Sequence, residues 1–205
     1  MMKMMMGDDN NKHNSNEVCE LYEAAVDGCV ATLKSLIQND PLILSKICLS
    51  TQLTESPLHV SASLGHVEFT KELLRLKPKL ASELDSLKRS PLHFAAAEGH
   101  AEIAVALLRE DKGVCLVKDQ DGKIPLHHAA VRGHVHLIKL LISSSGLGHI
   151  EESLFTPLPS GETILHLCVK HNHLDALKKV VHLAGCSENT DFLNAKDHES
   201  GLMLS

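Results

Sequence analysis

Hydrophobic and polar positions fall into short blocks along most of this chain. Between Ser90 and Leu108, "SPLHFAAAEGHAEIAVALL", two such blocks stand side by side. In the first, Leu92, Ala95 and Ala96 share one side of a short helix. Ser90 offers a hydroxyl to a free amide of the first turn, and Pro91 takes the first helical position, where a missing N–H costs nothing. Gly99 ends the helix, because glycine accepts a positive φ. In the second block, Ile103, Ala104, Leu107 and Leu108 fall at i, i+1, i+4 and i+5, which makes an apolar face. A helix pair this small cannot bury its own face, so it must stack on neighbours.

The neighbours are in the sequence. "SPLHVSASLGHVEFTKELL" (56–74), "IPLHHAAVRGHVHLIKLL" (124–141) and "TILHLCVKHNHLDALKKV" (163–180) repeat the design. "LYEAAVDGCVATLKSLI" (21–37) opens the series, with Tyr22 in the place of histidine. His59, His93, His127 and His166 are spaced by 34, 34 and 39 residues. A period of about 33 with a T-P-L-H-x-A core is the signature of one repeat type, and over roughly residues 18–200 the chain resembles the ankyrin-repeat family. That resemblance predicts an all-α ankyrin-repeat solenoid of about five helix-turn-helix repeats with short β-turn connections. The repeats fall near 18–50, 51–84, 85–118, 119–157 and 158–192, with a partial sixth at 193–205, giving an array over 17–200. Residues 1–16 are polar after a methionine-rich start and read as a disordered tail.

The turns differ among copies. Asp119 to Gly122 and Ser160-Gly161 supply tight turns, whereas Lys88 and Thr54 stand where glycine is usual. Ile124 replaces the capping Ser or Thr, a change that costs roughly 1 kcal/mol if nothing substitutes. The long fourth-to-fifth spacing comes from "SSSGLGHIEESLFTPLPSG" (143–161), whose Ser, Gly and Pro mark an inserted loop.

Composition narrows the function. The 205 residues are 43% hydrophobic but only 2% aromatic, which suits helices packed through Ala and Leu better than an enzyme core of this size. A net charge of −6 argues against non-specific nucleic-acid binding, which needs surplus Lys and Arg. Cys19, Cys29, Cys48, Cys115, Cys168 and Cys186 form no C-x-x-C pair and follow no secretory signal, so free thiols in a reduced cytoplasmic setting are expected. No window approaches the roughly eighteen uninterrupted apolar residues of a membrane helix, so this chain is not expected to insert into a membrane by itself. Met6-Gly7 does not fit a myristoylation start, because the glycine is not at position two.

Fifteen histidines invite a metal site, yet eight belong to the repeat: His59, His93, His127 and His166 in the first helix, and His66, His100, His134 and His173 after its turn. In the densest cluster, His127 and His128 cannot share a helix face, nor can His134 and His136, whereas a metal site needs convergent ligands. No nucleophile elbow, phosphate loop, dinucleotide fingerprint or H-E-x-x-H occurs. Cys168 lies two residues after His166 inside a repeat helix and reads as a small buried hydrophobe. Neither an enzyme, a metal nor a cofactor is expected.

The resemblance to ankyrin proteins implies that His59, His93, His127 and His166 brace the turn through the cap hydroxyl and nearby backbone, with Gly65, Gly99 and Gly133 as structural partners. It also implies protein contacts from variable positions on the turn tips and inner helices. Here those positions are Glu55, Arg89, Lys123 and Glu162 at the tips, Leu64, Glu98, Arg132 and His171 ahead of each helix end, and Phe94 and His128 after the repeat histidines. The expected partner is a protein.

Further segments narrow the likeness. "NDPLILSKI" (39–47), "LKPKLASELD" (76–85), "SGETILHLCVKHNH" (160–173) and "FLNAKDHES" (192–200) are similar to the cytosolic repeats of plant ankyrin proteins with a C-terminal PGG domain, a group that includes the accelerated-cell-death type. This likeness implies a role in defence or stress signalling, with membrane association only in a longer form. After "NAKDHE" that family continues Gly-Asn-Thr-x-Leu-His. Here Ser200 to Ser205 departs from the pattern, and a truncated product or an incomplete gene prediction is expected.

Overall fold

Pro57, Pro91 and Pro125 each open an eight-residue helix, and Gly65, Gly99 and Gly133 each close one with φ of 83°, 88° and 74°. The computed structural model describes residues 8–49, 55–144, 154 and 157–183. These hold eleven α-helices: α1 (Asp8–Asp27), α2 (Val30–Asn39), α3 (Ile43–Leu49), α4 (Pro57–Leu64), α5 (Val67–Leu76), α6 (Pro91–Glu98), α7 (Ala101–Glu110), α8 (Pro125–Arg132), α9 (Val135–Ser144), α10 (Ile164–Lys170) and α11 (Leu174–Leu183). No strand occurs among the described residues.

Two rows of helices build the molecule. The inner row stacks α1, α4, α6, α8 and α10 in order, and the outer row stacks α2, α5, α7, α9 and α11. Ala62, Ala96 and Ala130 repeat at one register of the inner row and are fully buried, so neighbouring helices approach closely. Leu58, Leu92, Leu126 and Leu165 fill the next register. Phe69 and Leu73, Ile103 and Leu107, and Leu137 and Leu141 form the buried faces of α5, α7 and α9. Each such leucine contributes roughly 1.5–3 kcal/mol on leaving water. The core is thus continuous through the stack rather than centred in any repeat.

A third short helical piece follows the outer helices: α3, then the 3₁₀ turns Pro78–Ser82 and Lys112–Leu116. Each buries an apolar pair, namely Ile43 and Leu44, Leu80 and Ala81, and Val114 and Cys115. The two-helix expectation omitted these pieces. The tips are the expected tight turns, closed by Asp85 N to Arg89 O (2.9 Å), Asp119 N to Lys123 O (2.9 Å) and Leu158 N to Glu162 O (2.8 Å).

The N-terminal expectation is corrected. Residues 8–16 are helical, not a disordered tail, because α1 extends back from the packed Leu21, Ala24 and Ala25 to Asp8. Adding a residue to an existing helix avoids the cost of nucleation. Residues 1–7, Thr54, most of the 143–161 insertion and everything after 183, including Cys186 and the partial sixth repeat, lie outside the described residues.

Candidate functional site

The repeat histidines set the geometry of the inner face. His59 Nδ1 accepts the Ser56 amide at 3.1 Å and lies 2.8 Å from the Ser56 hydroxyl. His93 does the same with Ser90 (3.0 and 3.0 Å), and His166 with Thr163 (3.2 and 2.8 Å). His127 accepts the Ile124 amide at 3.0 Å, and Ile124 offers no hydroxyl. A backbone amide can only donate, so Nδ1 is unprotonated and the ring proton sits on Nε2. From there the histidines reach forward: His59 Nε2 donates to Arg89 O at 3.0 Å and His93 Nε2 to Lys123 O at 3.2 Å. Tyr22 fills the same role in the first repeat, its hydroxyl donating to Glu55 O at 2.5 Å.

The second histidines reach backward. Nε2 of His66, His100, His134 and His173 donates to Val26 O, Ser63 O, Ala97 O and Val131 O at 2.7–3.0 Å. Each therefore satisfies a carbonyl near the end of the preceding inner helix. The first four repeats are hence joined by rungs in both directions.

Burial drives the forward histidines toward neutrality. Desolvation lowers the pKa of His59, and it lowers His93 and His127 to about 4, helped in both by the nearby His128. Burial alone would push the Asp119 carboxyl up, but hydrogen bonds from His128 and the Lys123 amide outweigh it and hold the group below its usual range. Asp85 and Asp119 are buried supports that the sequence reading missed. Their Oδ1 atoms accept two amides each, Leu87 and Arg89 for Asp85, and Asp121 and Lys123 for Asp119. An Asp five residues before the cap position was the available signal.

His93, Asp119 and His128 bring three donor atoms within 4.8 Å of one another. The set does not fit a metal. The Ser90 amide on His93 Nδ1 fixes the proton on Nε2, so His93 has no lone pair to aim at an ion. His128 Nε2 instead bonds Asp119 Oδ2 at 2.8 Å. Cys168 is fully buried, and desolvation raises its thiol to about 12, which removes it as a nucleophile in the folded state.

The ten candidate contact residues divide into two groups. The tip residues are engaged in the fold. Arg89 binds Asp85 at 2.7 Å and Glu55 at 3.2 Å, and its guanidinium lies 4.3 Å over the Phe94 ring. Phe94 also meets the His59 ring edge at 5.5 Å. Lys123 lies 3.4 Å from Asp121, and His128 is held by Asp119. Glu162 is buried rather than presented, so its expected place among the contacts is corrected. Lys170 Nζ donates to it at 2.6 Å and the Ser160 hydroxyl at 3.1 Å. Leu158 stands where Asp85 and Asp119 support the other tips, and Glu162 supplies the buried carboxylate there instead.

The helix-end residues behave differently. Leu64, Glu98, Arg132 and His171, with Asp27 before them, are all exposed. They occupy one register, a single residue per repeat, beside buried framework positions. Glu98 and Arg132 approach each other within this row, at 3.7 Å.

Paired helices stacked at a fixed period, with turn tips on one edge and a row of exposed side chains along the inner helices, define a helical repeat solenoid. A family model for ankyrin repeats, in three copies, matches residues 21–116 and 106–191. The chain belongs to the ankyrin-repeat family, whose members generally mediate protein–protein interaction and are typically non-catalytic. No curated protein matches the chain. No helix among the described residues is long and apolar enough to cross a membrane.

Proposed function

We propose that this chain is a protein-interaction scaffold that docks a partner along the inner face, through the row Leu64, Glu98, Arg132 and His171. The observation that carries the reading is the contrast in that row. The framework around it is buried and repeats in kind, whereas these positions are exposed and differ in chemistry: apolar, acidic, basic and imidazole. The tip residues Arg89, Phe94, Lys123 and His128 border the row and hold its shape. The test replaces the row together (Leu64→Asp, Glu98→Arg, Arg132→Glu, His171→Asp) and compares it with an outer-face variant, Arg109→Glu. Loss of the partner in the first, with helicity and melting unchanged in both, supports the reading. Equal binding by both variants overturns it.

The likeness of 39–47, 76–85 and 160–173 to plant PGG-domain ankyrin proteins supports a setting in defence or stress signalling. It also supports a second reading, that this chain is the cytosolic part of a membrane-anchored signalling protein. An antibody to residues 85–140, used on soluble and membrane fractions of the source tissue, separates the two. A band near 22.3 kDa in the soluble fraction supports the free scaffold. A larger band in the membrane fraction supports the anchored form.

A further inference from the structure

We propose that the joint between the fourth and fifth repeats is where the array opens: α10 and α11 part from α8 and α9 as one unit while the first four repeats stay stacked. Two independent observations place the weakness there.

The first is the forward rung. Tyr22, His59 and His93 each donate to the next tip, at Glu55 O, Arg89 O and Lys123 O. The equivalent acceptor for His127 is Glu162 O, which accepts Leu158 N at 2.8 Å. His127 does not reach it. Its Nε2 is buried and has no hydrogen-bond partner among the described residues, and the residue is only 4% exposed. An N–H left unpaired away from water favours any state in which water can reach it.

The second is the tip itself. Gln120 N donates to Leu87 O at 2.9 Å and ties the fourth tip to the third. Pro159 occupies the position of Gln120 in the fifth tip, and proline has no N–H to donate. The fourth-to-fifth joint therefore lacks both forward bonds. It keeps the backward rung from His173 to Val131 O at 3.0 Å, together with the apolar contacts of α8 with α10 and of α9 with α11. In a linear array stability is a sum over such joints, so a joint without these forward bonds opens before those that keep them.

Two buried thiols report on this directly. Cys168 lies in α10, beyond the joint, and Cys115 lies in the third repeat, inside the stacked block. The experiment labels the native full chain with a disulfide reagent at neutral pH and resolves each cysteine by peptide mass spectrometry. Cys168 is expected to react at least ten times faster than Cys115. Fraying of any terminal repeat could mimic that result, so two variants accompany it. Asparagine keeps an acceptor near the Nδ1 position and deletes Nε2. His127→Asn removes no rung and is expected to change the Cys168 rate less than twofold. His93→Asn removes an intact rung and is expected to raise amide exchange in α8 tenfold or more. The proposal is overturned if Cys168 and Cys115 react in step, or if His127→Asn speeds Cys168 tenfold.

Discussion

The His134 ring lies so close to Gly99 that a Cβ built on the glycine would stand 2.8 Å from Cε1 of the ring. Gly99 also has φ of 88°. The glycine is thus required twice, once for its own backbone and once for the histidine that reaches back from the next repeat to Ala97 O. Gly99→Ala must pay about 1–2 kcal/mol for the left-handed conformation and weaken a hydrogen bond of about 1 kcal/mol. We expect a loss of about 2–3 kcal/mol in urea unfolding. A loss below 0.5 kcal/mol, roughly that of an ordinary surface change, would contradict the contact.

Lys88 offers the opposite experiment. It is exposed and holds φ of 60° at the tip position where Gly122 and Gly161 hold 79° and 82°. Lys88→Gly relieves the left-handed strain but adds freedom to the unfolded chain. The expected net gain is about 0.5–1 kcal/mol, read from the urea midpoint. A lower midpoint would show that the Lys88 side chain makes contacts worth more than the strain.

Stability should fall in mild acid. His93 and His127 have folded pKa values of about 4, against about 6.5 when unfolded. Between those values the unfolded chain binds more protons, so stability rises with pH. The contribution is complete above about pH 6.5 and is lost as pH falls toward 4. Asp119, whose pKa is lowered, acts only below the ordinary carboxylate range and leaves this window untouched. Urea midpoints at pH 7.5 and 5 should therefore differ, and His93→Asn should flatten the difference. Equal midpoints in the parent chain would refute the neutral-histidine account.

Thiol chemistry should separate Cys29 from the buried cysteines. Thr32 donates its hydroxyl to Cys29 Sγ at 3.1 Å, and this bond lowers the thiol pKa. Brief alkylation at pH 8 should label Cys29 well before Cys168 or Cys115, and Thr32→Val should slow Cys29 alone. If Cys29 keeps its rate in that variant, the hydroxyl does not activate it.

What the sequence disclosed follows from what it encodes locally. Ser90-Pro91 and Gly99 specify the ends of a helix within ten residues, so period, helix pairs and inner-face register were readable. The rungs were less so, because the acceptors are main-chain carbonyls 30–42 residues away that any residue supplies. The 3₁₀ turns were missed because Leu80-Ala81 and Val114-Cys115 are pairs too short to show a helical period. Asn172 takes φ of 58° in place of the glycine at Gly65, Gly99 and Gly133, a substitution that asparagine tolerates better than most residues. The exposed row was named in part: Leu64, Glu98, Arg132 and His171 were separable from the tips only once burial was known.

Tyr22 gives the array a direction. Its rung to Glu55 ends in a phenol, which holds its proton until about pH 10, whereas the next two forward rungs end in imidazoles that acid converts to cations. As pH falls, protonation at Nδ1 costs His59 and His93 the Ser56 and Ser90 amides that they accept, so α4 and α6 lose their caps. Tyr22 undergoes no such change, and amide exchange at pH 5 should leave α1 protected longer than α4 or α6.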